Sequence, residues 1–140
     1  MRRPKSDERG QSLVEFALVL PVLLLLLLGI LEFGWLFNGQ ITLTSAAREG
    51  ARTAVVREDE MAVRVAIKRH VEGLSGFEFG GLYGSRAEME AAGPLQPREV
   101  RAAKETECDA VHIYVHGNVP PLVGLISPRE LTAHAVMRKE

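Results

Sequence analysis

The sequence predicts an α+β protein. A long N-terminal transmembrane helix continues into a stalk, and a small exported domain follows, with a short helix and an antiparallel β-sheet. Three observations carry this expectation. Phe16 to Leu31 holds no charged residue, the small residues of 46–54 recur at helical spacing, and two late segments alternate apolar and polar side chains with period two. The divisions expected are a basic cytoplasmic leader over 1–10, transmembrane helix and stalk over 11–56, and the exported α+β domain over 57–140.

The apolar segment comes first. Phe16 to Trp35, taken as helix, is about 20 residues at ~1.5 Å each, or roughly 30 Å, the thickness of a hydrocarbon core. Trp35 falls at the far interface, where amphipathic rings are favoured, and Glu32 is expected near that interface with its carboxylate in water. Arg2, Arg3, Lys5 and Arg9 stand just before the span, against Arg48 and Arg52 beyond it. The positive-inside rule therefore predicts the N-terminus in the cytoplasm and the rest of the chain, from Asn38 onward, outside. A cleaved secretory signal ending near Ala46-Ala47 is the competing reading. It fits less well, because signal cores run to about 7–15 residues and are not bounded by glutamates.

Pro21 lies inside the span and removes one ladder bond, that to the Ala17 carbonyl, so a local bend is expected. Asn38-Gly39 is a turn-type dipeptide. With no proline between Val22 and Gly93, one helix from about Ser12 to Val56 is still expected. Ala46, Gly50 and Ala54 are four apart, as are Ala47 and Ala51, so on a helix they form a stripe that lets another helix approach closely. Propensity alone also explains an alanine-rich stalk. Glu49 stands three residues before Arg52, a spacing that pairs them on a helix.

Beyond Val56, the run Arg57-Glu58-Asp59-Glu60 reads as a solvated junction. Val63, Ile67, Val71 and Leu74 mark an amphipathic helix ended by Gly73 and Gly76. Phe77 to Tyr83 allows one short strand, weakened by Gly80-Gly81. Arg86 to Ala92 fits a helical turn closed by Gly93-Pro94. Val111, Ile113 and Val115 alternate with His112, Tyr114 and His116. Leu131, Ala133, Ala135 and Met137 alternate with Thr132, His134 and Val136. These two strands are expected to pair antiparallel under a helix.

The totals exclude several functions. A net charge of −1 offers no field for nucleic acid, so none is expected as a partner. Cys108 is the only cysteine and reads as a small semi-buried side chain or a site for an intermolecular bridge. Three imidazoles, His112, His116 and His134, suffice for zinc, yet residues two apart on a half-exposed sheet are more simply solvated, and no metal or other cofactor is expected. No nucleophile elbow and no phosphate loop is present. Catalysis is not expected.

Glu15 has two readings. Ser12-Leu13-Val14-Glu15 has the spacing of a capping box at a helix start, and a glutamate there suits the helix dipole. Alternatively, a basic leader ends in Gly10, and Glu15 with Phe16 follows at the mouth of the span. This second pattern resembles the processing site of type IV-like prepilins. Together, "RGQSLVEFALVLPVLLLLLLGILEFGWLFNGQITLTSAAREGAR", Arg9 to Arg52, resembles the TadE-like family, the pseudopilins (minor pilins) of tight-adherence, Flp-type pilus systems.

The resemblance implies cleavage between Gly10 and Gln11 by a prepilin peptidase. It implies a new N-terminus at Gln11, Glu15 and Phe16 as the assembly pair, Pro21 inside the span and Ala46 to Arg52 after it; the helix-packing role of Ala46, Ala47, Gly50, Ala51 and Ala54 rests on their spacing. Partners so implied are the lipid bilayer, the peptidase, other pilin-like subunits and the pilus assembly machinery. The implied location is the cytoplasmic (inner) membrane as a single-pass protein, from which incorporation into a surface pilus is a further implication. A membrane-anchored extracytoplasmic binding module unrelated to pili accounts for span and orientation equally well; it does not require cleavage, and predicts that Glu15→Gln or Glu15→Ala has little effect.

Overall fold

The computed structural model describes residues 8–57, 59–74 and 76–139; Arg2, Arg3 and Lys5 of the leader, and Glu58 of the junction, lie outside them. The first element, α1 (Glu8–Val56), is one unbroken helix of 49 residues with Pro21 inside it. It runs through Asn38-Gly39 without a turn. Gly39 instead meets Val119 and Leu131: a Cβ there would lie 3.1 Å from a Val119 methyl, so glycine at this position allows strands to approach the helix. The hydroxyls of Thr42, Thr44 and Ser45 donate back to the carbonyls of Asn38, Gln40 and Ile41, which keeps polar side chains satisfied on the helix itself.

The remaining elements are α2 (Glu60–Val71), β1 (Glu78–Tyr83), α3 (Arg86–Ala91), β2 (Glu99–Glu107), β3 (Ala110–Val119) and β4 (Arg129–Arg138). Asp59 caps α2 by accepting from the Met61 N–H, so part of the expected charge run is a helix start. Ser85 caps α3 through the Glu88 N–H. The expected helix forms but starts earlier and stops at Val71, so Leu74 packs from the turn that follows, its N–H bonded to the Val71 carbonyl. The strands expected over 77–83, 110–116 and 131–137 form, the first from Glu78 and the other two longer than expected.

The strands make one sheet in the order β1-β2-β3-β4. β2, β3 and β4 pair antiparallel, as expected for the last two. β1 pairs parallel to β2, so the sheet is mixed rather than purely antiparallel. The reason is the connection: α3 lies between β1 and β2, and a crossover of that kind brings the second strand back in the same direction.

The core lies between the sheet and the upper half of α1. Leu43, Ala46, Ala47, Ala51 and Ala54 of α1 are buried together with Val63, Ile67 and Val71 of α2 and Val100, Val111, Ile113 and Val115 of the sheet. The small side chains on α1 are matched by branched ones opposite. Burying each such Val or Ile is worth about 1.5–3 kcal/mol. The outer part of α1 is therefore part of the folded domain and not a free stalk.

Candidate membrane span and assembly site

Leu13 to Leu31 is the part of α1 that the domain does not cover, and its leucines are largely exposed. Residues 11–31 amount to about 21 positions at ~1.5 Å, roughly 31 Å of bare helix, enough for a bilayer. It is the one candidate membrane span among the described residues.

Near its start, Gly10, Gln11, Glu15 and Phe16 are all exposed on this bare helix, Phe16 with 59% of its surface. Gln11 and Glu15 are four apart and share a face. Glu15 has no hydrogen-bond or ion-pair partner among the described residues. The capping-box reading does not hold, because α1 already begins at Glu8 and places Ser12 and Glu15 inside the helix.

The small-residue stripe is occupied within the chain. Ala46, Ala47, Ala51 and Ala54 are buried against the sheet and α2. A Cβ on Gly50 would lie 2.8 Å from Ile67 Cγ1. The helix that approaches α1 closely along this stripe is α2. Arg52 forms the expected pair with Glu49, at 2.8 Å.

One expectation at the outer end of the span is corrected. Glu32 does not reach water. It is 1% exposed, covered by the segment between β3 and β4, and its Oε2 accepts from the Val123 N–H at 2.8 Å. Its Oε1 is buried without a hydrogen-bond partner among the described residues. Trp35 is half-buried, donating from Nε1 to the Pro120 carbonyl at 3.1 Å and standing 6.4 Å from the Phe77 ring. With Gln40, which donates to the Thr132 carbonyl, these residues fix the height of the sheet on the helix. Sequence periodicity carried no sign of this, since each partner lies 85 or more positions away.

The outer sheet face carries an aromatic cluster. Tyr114 and His134 are directly paired and stacked, with centroids 4.3 Å apart. His112 Nδ1 lies 3.2 Å from His134 Nε2, and the Arg86 guanidinium stands over the Tyr114 ring. Burial lowers the His134 pKa, and the neighbouring His112 and Arg86 charges lower it further. His116 is also lowered, first by burial and then by Arg86. Among the described residues no group of three His, Cys, Asp or Glu side chains is placed to hold a metal. Cys108 is exposed, contrary to the semi-buried expectation, because it occupies the tight turn between β2 and β3 with φ of 50°.

On the same side of the sheet, Arg101 is nearly buried. It bonds both Glu99 oxygens and donates to the carbonyls of Gly93 and Pro94. Burial pulls Glu99 upward, but Arg101 and the Gln96 N–H more than offset this and hold its carboxyl below the usual range.

A single uncovered apolar helix carrying a small α+β head fits a single-pass membrane protein. Residues 10–52 match the model of a protein family described as TadE-like protein, the same segment that carries the resemblance in the sequence. The matched segment takes in the bare helix and the small-residue stripe as far as Arg52. A search among curated proteins found no match, and a search among solved structures found none either.

Proposed function

We propose that this chain is a minor pilin-like subunit acting in assembly of a tight-adherence, Flp-type pilus. It is inserted with Arg2, Arg3, Lys5 and Arg9 on the cytoplasmic side and cut after Gly10 by a prepilin peptidase. The observation that carries this reading is Glu15: an unpartnered carboxylate on a bare apolar helix, four residues after Gln11, within the segment matched by the TadE-like family.

A carboxylate at the bilayer centre costs on the order of 2.5–3.5 kcal/mol, and less towards an interface. The α-amino group created on Gln11 of a neighbouring subunit offsets that cost when the two helices pack with the right axial offset. Phe16 fills the apolar contact beside the pair. The head then projects from the outer face of the membrane, where it primes, caps or decorates the pilus. The chain acts by assembly, without turnover of a substrate and without a cofactor.

A second reading has its own observation. A groove of about 650 Å³ lies between α1 and α2, lined by Arg52, Arg57, Met61, Val65, Arg69 and His70, and suits an anchored domain that binds a partner without any pilus. Co-purification with other pilus subunits separates the two. Glu15→Gln is expected to keep membrane insertion and to lose co-assembly. Wild-type levels of co-purifying subunits with Glu15→Gln would favour the anchored binding module.

A further inference from the structure

The segment joining β3 to β4 is unlike the other connections of the head. Pro120 to Pro128 contains no charged residue, and Leu122, Val123 and Leu125 stand 55%, 45% and 47% exposed. Its position is fixed by two bonds to α1, from Val123 N–H to Glu32 and from Trp35 to the Pro120 carbonyl. Glu32 is the first residue of α1 that the head covers. The exposed aliphatic side chains of this segment therefore lie at the level where the bare helix ends.

We propose that residues 122–126 form a second membrane contact, seated in the leaflet on the side of the head, with zwitterionic phospholipid as the occupant. This rests on the single-span reading of α1 and is independent of any pilus. The apolar surface of the segment is continuous with that of the bare helix, so a bilayer that takes one meets the other. Its depth is limited, because irregular backbone facing lipid leaves its polar groups unsatisfied in hydrocarbon. The headgroup–acyl boundary meets both demands: aliphatic side chains enter apolar surroundings while the backbone reaches water. Pro120, Pro121 and Pro128 lack an N–H and so reduce the number of donors to be hydrated. Glu32 tethers the segment through the Val123 N–H, and the segment in turn screens that carboxylate from lipid. Lacking cations, the contact needs no anionic headgroup.

The test uses the full chain in phosphatidylcholine vesicles, labelled at single cysteines with an environment-sensitive nitrobenzoxadiazole dye and quenched by lipids spin-labelled high on the acyl chain. Native Cys108 is the distal control. It lies beyond the opposite end of β3, a strand of 10 residues and so about 30 Å long. Cys108→Ser/Leu24→Cys reports on the span, and Cys108→Ser/Leu125→Cys on the proposed contact. Expected are blue-shifted, quenched emission at positions 24 and 125, an aqueous signal at Cys108, and no change at 125 when anionic lipid is added. Adding Glu32→Ala is expected to weaken quenching at 125 while leaving 24 unaffected. Quenching at 24 with an aqueous signal at 125 would overturn the second contact and leave the span standing. Absence of quenching at both positions would overturn the span as well.

Discussion

Gly50→Ala probes whether the outer half of α1 belongs to the folded head. An ideal Cβ at this position lies 2.8 Å from Ile67 Cγ1, 2.9 Å from Ile67 Cδ1 and 3.4 Å from Ile113 Cγ2. Carbon atoms in contact prefer about 3.5–4.0 Å. Ile67 is fully buried, so it cannot swing into solvent, and α2 must move away from α1. Overpacking of this kind costs about 1–3 kcal/mol. Alanine returns about 1 kcal/mol of helix propensity. The expected balance is a loss of about 0–2 kcal/mol. The sign becomes sharper in a double-mutant cycle. Ile67→Ala alone is expected to cost about 2–5 kcal/mol, and less in the Gly50→Ala background, because the new methyl then fills vacated space. Trp35, the only tryptophan, packs beside Phe77 and reports unfolding by fluorescence in detergent, with denaturant titrations giving the free energies. Stabilisation by the full propensity gain, with strictly additive effects of the two changes, would refute the packing of α2 onto α1 at Gly50.

Other consequences can be measured in the same way. Arg101→Leu leaves Glu99 nearly buried without its cation and is expected to cost about 3 kcal/mol, read from the same titrations. His116 and His134 both titrate below their ordinary 6.5. The unfolded chain therefore takes up protons near pH 6.5 before the folded chain does, and stability is level above that pH and falls as pH drops through it. Melting temperatures from pH 7.5 to 5.5 are expected to show this fall, and His116→Gln/His134→Gln to flatten it. Cys108 pays the left-handed backbone cost of about 1–2 kcal/mol, and glycine there loses about 0.5–1 kcal/mol of chain entropy. Cys108→Gly is thus expected to be neutral or to raise stability by about 1 kcal/mol, checked by thermal melting.

What could be read from the sequence was what local periodicity encodes. Val63, Ile67 and Val71 announce α2 by their spacing, and the alternation from Val111 and from Leu131 announces β3 and β4. β2 was not legible. Arg101, Lys104, Glu105 and Glu107 hide it, and it survives as an inner strand because Glu99 and two carbonyls satisfy Arg101. The stripe from Ala46 to Ala54 was visible, but spacing says only that something packs closely there; the structure places α2 and the sheet on it. Glu32 was visible as a charge and expected in water, because its burial depends on a segment 91 residues away. Parallel pairing of β1 was hidden for the related reason that it follows from β2.

The most direct test of the assembly account is the N-terminus of the protein extracted from membranes of its own host. Peptide mapping is expected to find Gln11 as the first residue, and Gly10→Ala to retain the basic leader. A working protein that still carries Arg2 to Gly10 in cells with an active prepilin peptidase would leave Glu15 without the α-amino partner on which that account depends.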